Sequence, residues 1–140
     1  MEWFKENLSI STSGKGLYPF TGMIAQKVNL WLIHEGMCFL FLPHTSASLL
    51  IAENADPSAK LDIETYFERL VGEGEPWMTH TLEGKDDSSS HIRSALTVTD
   101  LSIPIEDGHL ALGTWQGIYL FEHRSHRQNR RVLLRCMKFE

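Results

Sequence analysis

A chain of 140 residues is one domain long and can bury a core without disulfide or metal staples. Its 13 basic side chains against 18 acidic ones leave a formal charge of −5, which argues against a general binder of nucleic acid or of anionic membranes. No apolar run is long enough to cross a bilayer, and Met1–Glu6 lacks the basic start and apolar stretch of a secretory signal, so a soluble cytoplasmic protein is expected. Cys38 and Cys136 sit in apolar surroundings without CxxC spacing and read as small buried hydrophobes in a reducing compartment.

In chain order, residues 3–12 look like a β-strand that runs into a turn at Gly14-Lys15-Gly16. Thr21 can cap a helix over 22–35, where Ile24, Val28 and Trp31 form an apolar stripe and Gly36 supplies the stop. Met37–Leu42 is unbroken apolar sequence, as suits a strand buried on both faces, and a second extended segment runs from Thr45 to Ile51 beyond Pro43. Asp56-Pro57 starts a second helix whose buried face is expected to be Ile63, Tyr66, Phe67 and Leu70. Gly72 and Gly74 end it and open a long polar connection over 72–87, the kind of loop that builds sites. A short third helix, capped by Asp87 or a following serine, holds His91, Ala95 and Leu96.

From Leu101 onward the pattern is β. Leu101–Ile105 leads into an Asp107-Gly108 hairpin turn. A long strand from Leu110 to Arg124 follows, with Gly113 and Gly117 marking a bulge or a close backbone approach. A strand from Arg131 to Phe139 closes the sheet. The single domain over residues 1–140 is therefore expected to be α+β, a mostly antiparallel β-sandwich with two or three helices.

Three histidines stand where these runs end, beside hydroxyls or carboxylates. His44, His80 and His91 are expected to converge on one divalent, zinc-like ion and leave a coordination position open. Thr45, Ser46 and Ser48 can bind substrate or orient His44. No G-x-S-x-G surrounds the serines, which disfavours a serine hydrolase. Of Asp86 and Asp87, one reads as a helix cap and the other as a cation holder or imidazole orienter, a task Glu53 could share. Strand alternation puts Thr114, Gln116, Glu122 and Arg124 on one face and Trp115, Tyr119, Phe121 and His123 on the other. Arg124 is the best phosphate-binding candidate, because its planar fork matches phosphate geometry. His126–Arg131 reads as a solvated hairpin tip, and His34 and His109 as surface residues.

Together and in this order, His44-Thr-Ser-Ala-Ser, Glu53-Asn54, Asp56-Pro57, Glu83-Gly84 with Asp86-Asp87, His91-Ile92, Gly113-Thr-Trp-Gln-Gly-Ile118 and Glu122-His-Arg124 resemble the YjbQ-like family, the secondary thiamine-phosphate synthases. The resemblance implies a β-sandwich α+β fold, a homotrimer and a polar pocket able to hold a metal ion. It also implies low-level joining of a thiazole phosphate to a pyrimidine methyl diphosphate. Pyrophosphate departs as an anion in that reaction, so Mg²⁺ and cationic donors are expected beside it. Hard Mg²⁺ prefers oxygen ligands, whereas histidines prefer zinc-like ions. With this family in view, Asp87, Arg124 and Ser46 are the catalytic candidates. Thr45, Ser48, Glu53, Thr114, Gln116, Glu122 and His123 are the substrate-contacting ones. The expected partner is a phosphorylated small molecule, with no nucleic acid or membrane. The rival readings are a carrier without turnover and a zinc-type hydrolase of a phosphorylated small molecule.

Overall fold

Alternation along the longest strands decides the architecture. The computed structural model describes all 140 residues. The elements are β1 (Glu2–Thr12), β2 (Gly16–Pro19), α1 (Thr21–Leu30), β3 (Gly36–Phe41), β4 (Ala47–Glu53), α2 (Pro57–Leu70), α3 (Lys85–Leu96), β5 (Asp100–Glu106), β6 (His109–Leu110), β7 (Gln116–Glu122) and β8 (Gln128–Lys138). In β8, Arg130, Val132, Leu134 and Cys136 are buried while their neighbours are not, so every second side chain points inward. Leu8 and Ile10 of β1, Cys38 and Leu40 of β3 and Ile103 and Ile105 of β5 complete that inner face. They belong to a five-stranded antiparallel sheet ordered β1-β8-β3-β5-β6. Opposite lies a three-stranded antiparallel sheet, β2-β7-β4, whose Ala47, Leu49, Ile118 and Leu120 enter the same core.

The outer face of the small sheet carries a third layer. Leu17, Tyr119 and Phe121 pack against Ile63 and Phe67 of α2, with the Phe67 and Phe121 rings edge-on at 5.1 Å. Helix α3 lies beside β4, where Ser94 Oγ donates to the Ala47 carbonyl at 3.1 Å. Helix α1 sends Ile24 and Val28 into the main core. The expected α+β sandwich is thus what forms, with three helices where two or three were expected. The Asp107-Gly108 turn has the positive φ values, 51° and 82°, that a two-residue hairpin requires. Gly117 is where backbones crowd, since a Cβ there would meet Asn54 Cβ at 2.9 Å.

Several expectations are corrected. Strand β3 is buried on one face only: Phe39 and Phe41 stay 36% and 48% exposed, because no layer of this chain covers the outer side of the large sheet. Helix α2 fully buries no side chain, and Tyr66 and Leu70 point to solvent. The strand expected over Leu110–Arg124 is two strands, β6 and β7, joined by a loop that leaves Thr114 and Trp115 exposed. Strand β2 follows the glycine turn directly and was not apparent from so short a segment. Arg130, expected at a solvated tip, is buried. Helix α3 starts from Gly84, at φ 103°, with both aspartates inside its first turn rather than at the cap.

Helix α1 stops five residues short of the expected 35 and has no side-chain cap, since Thr21 Oγ1 accepts the Ile118 N–H at 2.8 Å instead. Its end is a Schellman turn: Ile33 N–H returns to the Val28 carbonyl and Leu32 N–H to the Asn29 carbonyl. Leu32 therefore adopts φ 53°, a region costly for a side-chain-bearing residue, while its side chain is 66% exposed. Replacing it by glycine (Leu32→Gly) is expected to stabilise the fold by about 1 kcal/mol, the strain relieved at a left-handed position. Urea midpoints of the two proteins measure this.

Candidate metal centre

Helical periodicity first brings two of the groups together. Asp87 and His91 are four residues apart on α3, so both project from one face, and His91 Nε2 lies 3.3 Å from Asp87 Oδ1. The loop between α2 and α3 brings His80, whose Nε2 lies 2.6 Å from Asp87 Oδ2. The two imidazole rings are 5.3 Å apart. One ligand atom from each of His80, Asp87 and His91 can thus lie within 4.8 Å of the others. Close as His80 Nε2 is, Asp87 Oδ2 is buried without a hydrogen-bond partner.

The second ring nitrogen of His91 is committed. His91 Nδ1 lies 2.8 Å from the Thr45 carbonyl, and a carbonyl can only accept, so Nδ1 carries a proton and, in the neutral ring, the lone pair is on Nε2. His44 is wired the opposite way. Its Nε2 accepts the backbone N–H of Arg131 at 3.0 Å, and burial together with Arg130 pushes its pKa down. His44 lines the same cleft of about 690 Å³ as Thr45, His80, Ser88 and His91, but it stands outside the cluster of close ligand atoms. The sequence grouping of three histidines becomes, in space, two histidines and an aspartate.

Arg124 is occupied in holding that aspartate. Its Nη1 donates to Asp87 Oδ1 at 2.8 Å, its Nε to Asp86 Oδ2 at 3.0 Å and its Nη2 to the Glu83 carbonyl at 2.9 Å. The fork expected to bind phosphate is filled by its own chain. Burial works to raise both carboxyl pKa values but is outweighed. The Ser125 N–H, Arg124 and the Ser125 hydroxyl hold Asp86 down at about 2, and His91, His80 and Arg124 hold Asp87 below the usual carboxylate range.

The remaining expected residues serve the frame. Glu122 is fully buried, with Oε1 accepting from Arg130 Nε at 2.8 Å and Thr12 Oγ1 at 2.7 Å. Its Oε2 accepts from Arg130 Nη2 at 2.5 Å and from the backbone N–H groups of His123 and Arg124. Ser46 Oγ accepts from Arg130 Nη2 at 2.9 Å inside this network. Ser48, wholly buried, pairs its hydroxyl with His123 Nε2 at 2.9 Å. Burial, then Arg93 and Arg130, push the His123 pKa down to about 3.

Glu53 accepts the N–H groups of Ala55 and Asp56 ahead of α2, and Gln116 accepts the Gly113 N–H. Glu53 pairs with Gln116 at one end of β4 and β7, and Ala47 with Glu122 at the other. At the usual rise the two ends are roughly 20 Å apart. The Gly113–Gly117 segment and the histidine cluster therefore sit at opposite ends of the small sheet.

Sequence reasoning missed Arg130. Its signal was available, because Arg130 falls two, four and six residues before Val132, Leu134 and Cys136, on the inward face of the strand.

Asp86 gives an acid-stability test. Its folded pKa lies below the unfolded value, so its contribution is complete above about pH 4 and is lost as pH falls towards 2. Asp86→Asn is expected to lower stability at pH 7 and to flatten the dependence of the urea midpoint on pH between 5 and 2.

Fold and cluster together define a small α+β sandwich protein with a histidine–carboxylate group on an open cleft. The chain belongs to the UPF0047 YjbQ-like protein family, whose model matches residues 6–139. A UPF0047 protein of Synechocystis sp. is 46% identical over 130 residues, which is 93% of this chain and 88% of the relative. The UPF0047 protein YjbQ of Escherichia coli is 39% identical over 94% of this chain and 95% of its own length. Among solved structures, an uncharacterized YjbQ/UPF0047 family protein of Clostridium acetobutylicum superposes with a TM-score of 0.85 at 32% identity, covering 94% of this chain and 99% of that one. A conserved hypothetical protein of Thermus thermophilus gives 0.84 at 31% identity, covering 94% and 99%.

Proposed function

We propose that this protein is a metal-dependent enzyme acting on a small phosphorylated molecule, with a divalent ion held by Nε2 of His80, Nε2 of His91 and Oδ2 of Asp87. The observation that carries this reading is the Asp87 carboxylate, whose buried Oδ2 has no hydrogen-bond partner and faces His80 Nε2 while Oδ1 faces His91 Nε2. A buried carboxylate oxygen without a hydrogen-bond partner is costly, and a cation placed there would remove the cost. Two imidazoles and one carboxylate suit a zinc-like ion with coordination positions left open to the cleft. Such an ion would polarise a substrate or water oxygen.

The chain's own residues supply the rest. Thr45 fixes the His91 tautomer through its carbonyl, and Arg124 holds the Asp87 carboxylate in place.

Thiamine-phosphate formation, which the family resemblance implies, has thinner support from the geometry. Magnesium prefers all-oxygen shells, and no lysine or arginine lines the cleft to meet a departing pyrophosphate. Protein stripped of metal and resupplied with zinc is expected to retain about one ion per chain, and His91→Ala to retain almost none by elemental analysis while keeping the wild-type circular dichroism spectrum. The same preparations, assayed with a thiazole phosphate and a pyrimidine methyl diphosphate in zinc or magnesium, test the synthase activity against a metal-free blank. A carrier would instead return its ligand intact after being stabilised by it.

We also propose a homotrimer, with the outer face of the large sheet as the contact surface. Trp3, 51% exposed, lies 6.4 Å from Phe39, and Phe41 continues the patch along β3. Contiguous apolar surface of this kind marks an interaction face. Light scattering is expected to give three times the chain mass of 16.0 kDa, and Phe39→Lys to shift the particle towards the single chain.

A further inference from the structure

His44 occupies the cleft without joining the cluster, and its hydrogen bonding says what it can offer. A backbone N–H cannot accept, so the 3.0 Å contact from Arg131 N to His44 Nε2 requires a lone pair on Nε2. In the neutral ring the proton then sits on Nδ1. That nitrogen has no partner in the protein. The buried side-chain polar atoms without partners are Asp87 Oδ2, Arg93 Nε and His123 Nδ1, so His44 Nδ1 is open to solvent. A ring nitrogen carrying a proton has no lone pair to give a metal. His44 is therefore a donor, where His91, with the reverse arrangement, is an acceptor or ligand.

The backbone joins the two rings. Thr45, the next residue after His44, lends its carbonyl to His91 Nδ1, and both histidines line the same cleft. The lining side chains of that cleft include no lysine or arginine, and Arg124 is tied to Asp86 and Asp87. An oxyanion at the cluster would balance its charge on the ion and would still present unliganded oxygens that need a donor. We infer that His44 Nδ1–H is that donor, binding a non-coordinated oxygen of a phosphate group held at the His80–Asp87–His91 cluster. This assignment rests on the metal reading above. It makes His44 a substrate-binding residue rather than a third ligand, and its backbone partner Arg131 a positioning residue.

Zinc-loaded protein titrated calorimetrically with inorganic phosphate tests the assignment. His44→Leu is expected to keep the wild-type zinc content and to bind phosphate about tenfold more weakly, the loss of one hydrogen bond to a charged group. His44→Asn, whose amide nitrogen falls where Nδ1 stood, is expected to recover most of that affinity. Nitrogen-15 spectra of the metal-free wild-type protein are expected to show the Nδ1–H form of His44, and an Nε2–H form would overturn the proposal. Loss of zinc in His44→Leu would overturn it too, by making His44 a ligand. Unchanged phosphate affinity in that variant would remove the His44 role and leave the metal reading standing. Wild-type protein that takes up no zinc would remove both.

Discussion

The buried pair of Glu122 and Arg130 is the interaction from which the site is hung. It lies at the end of β7 and β8, the central strand of the small sheet and an interior strand of the large one. Burying two charges is expensive unless each lone pair and donor finds a match. Here both carboxylate oxygens are used, by Thr12, by the guanidinium and by two backbone N–H groups. Losing one partner of such a pair generally costs about 3–5 kcal/mol, because the other is stranded. The pair thus locks the two sheets at the edge where the cleft begins.

Its reach extends through backbone rather than through further charges. By accepting the N–H groups of His123 and Arg124, Glu122 turns the chain at the strand end and sends the Arg124 side chain towards α3. Arg124 then grips Asp86 and Asp87, and Asp87 faces His80 and His91. On its other side Arg130 holds Ser46 by both carbonyl and hydroxyl, next to the Thr45 carbonyl that His91 requires. Each sheet contributes one strut to the cluster.

Much of the fold was readable from residue order, and so were the three residues that gather in the candidate cluster. Period-two alternation, the Asp56-Pro57 start and the Asp107-Gly108 turn each correspond to an element observed. His80, His91 and Asp87 were legible because histidine and carboxylate at the ends of runs rarely fill cores. What was not legible depended on partners distant in sequence. Whether Arg124 grips phosphate or its own aspartates is settled by residues 37 and 38 positions away. Which nitrogen of His44 is free is settled by a backbone amide 87 residues on. The exposed outer side of β3 could not be told from a doubly buried strand, since an apolar run reads the same whether its cover comes from this chain or from another.

Helix α3 has a further consequence. The face it turns inward is Asp86, Asp87, Ser89, Ser90, Arg93 and Ser94, with no fully buried hydrocarbon side chain among its twelve residues. Its attachment is a set of directional hydrogen bonds rather than an apolar seam. Detaching it would expose little nonpolar surface, so the opening would have a small heat capacity change and a weak dependence on denaturant. Such a segment can open locally while the sandwich stays folded. A ligand that bridges His80 on the loop to His91 on the helix would then act as the latch of that segment.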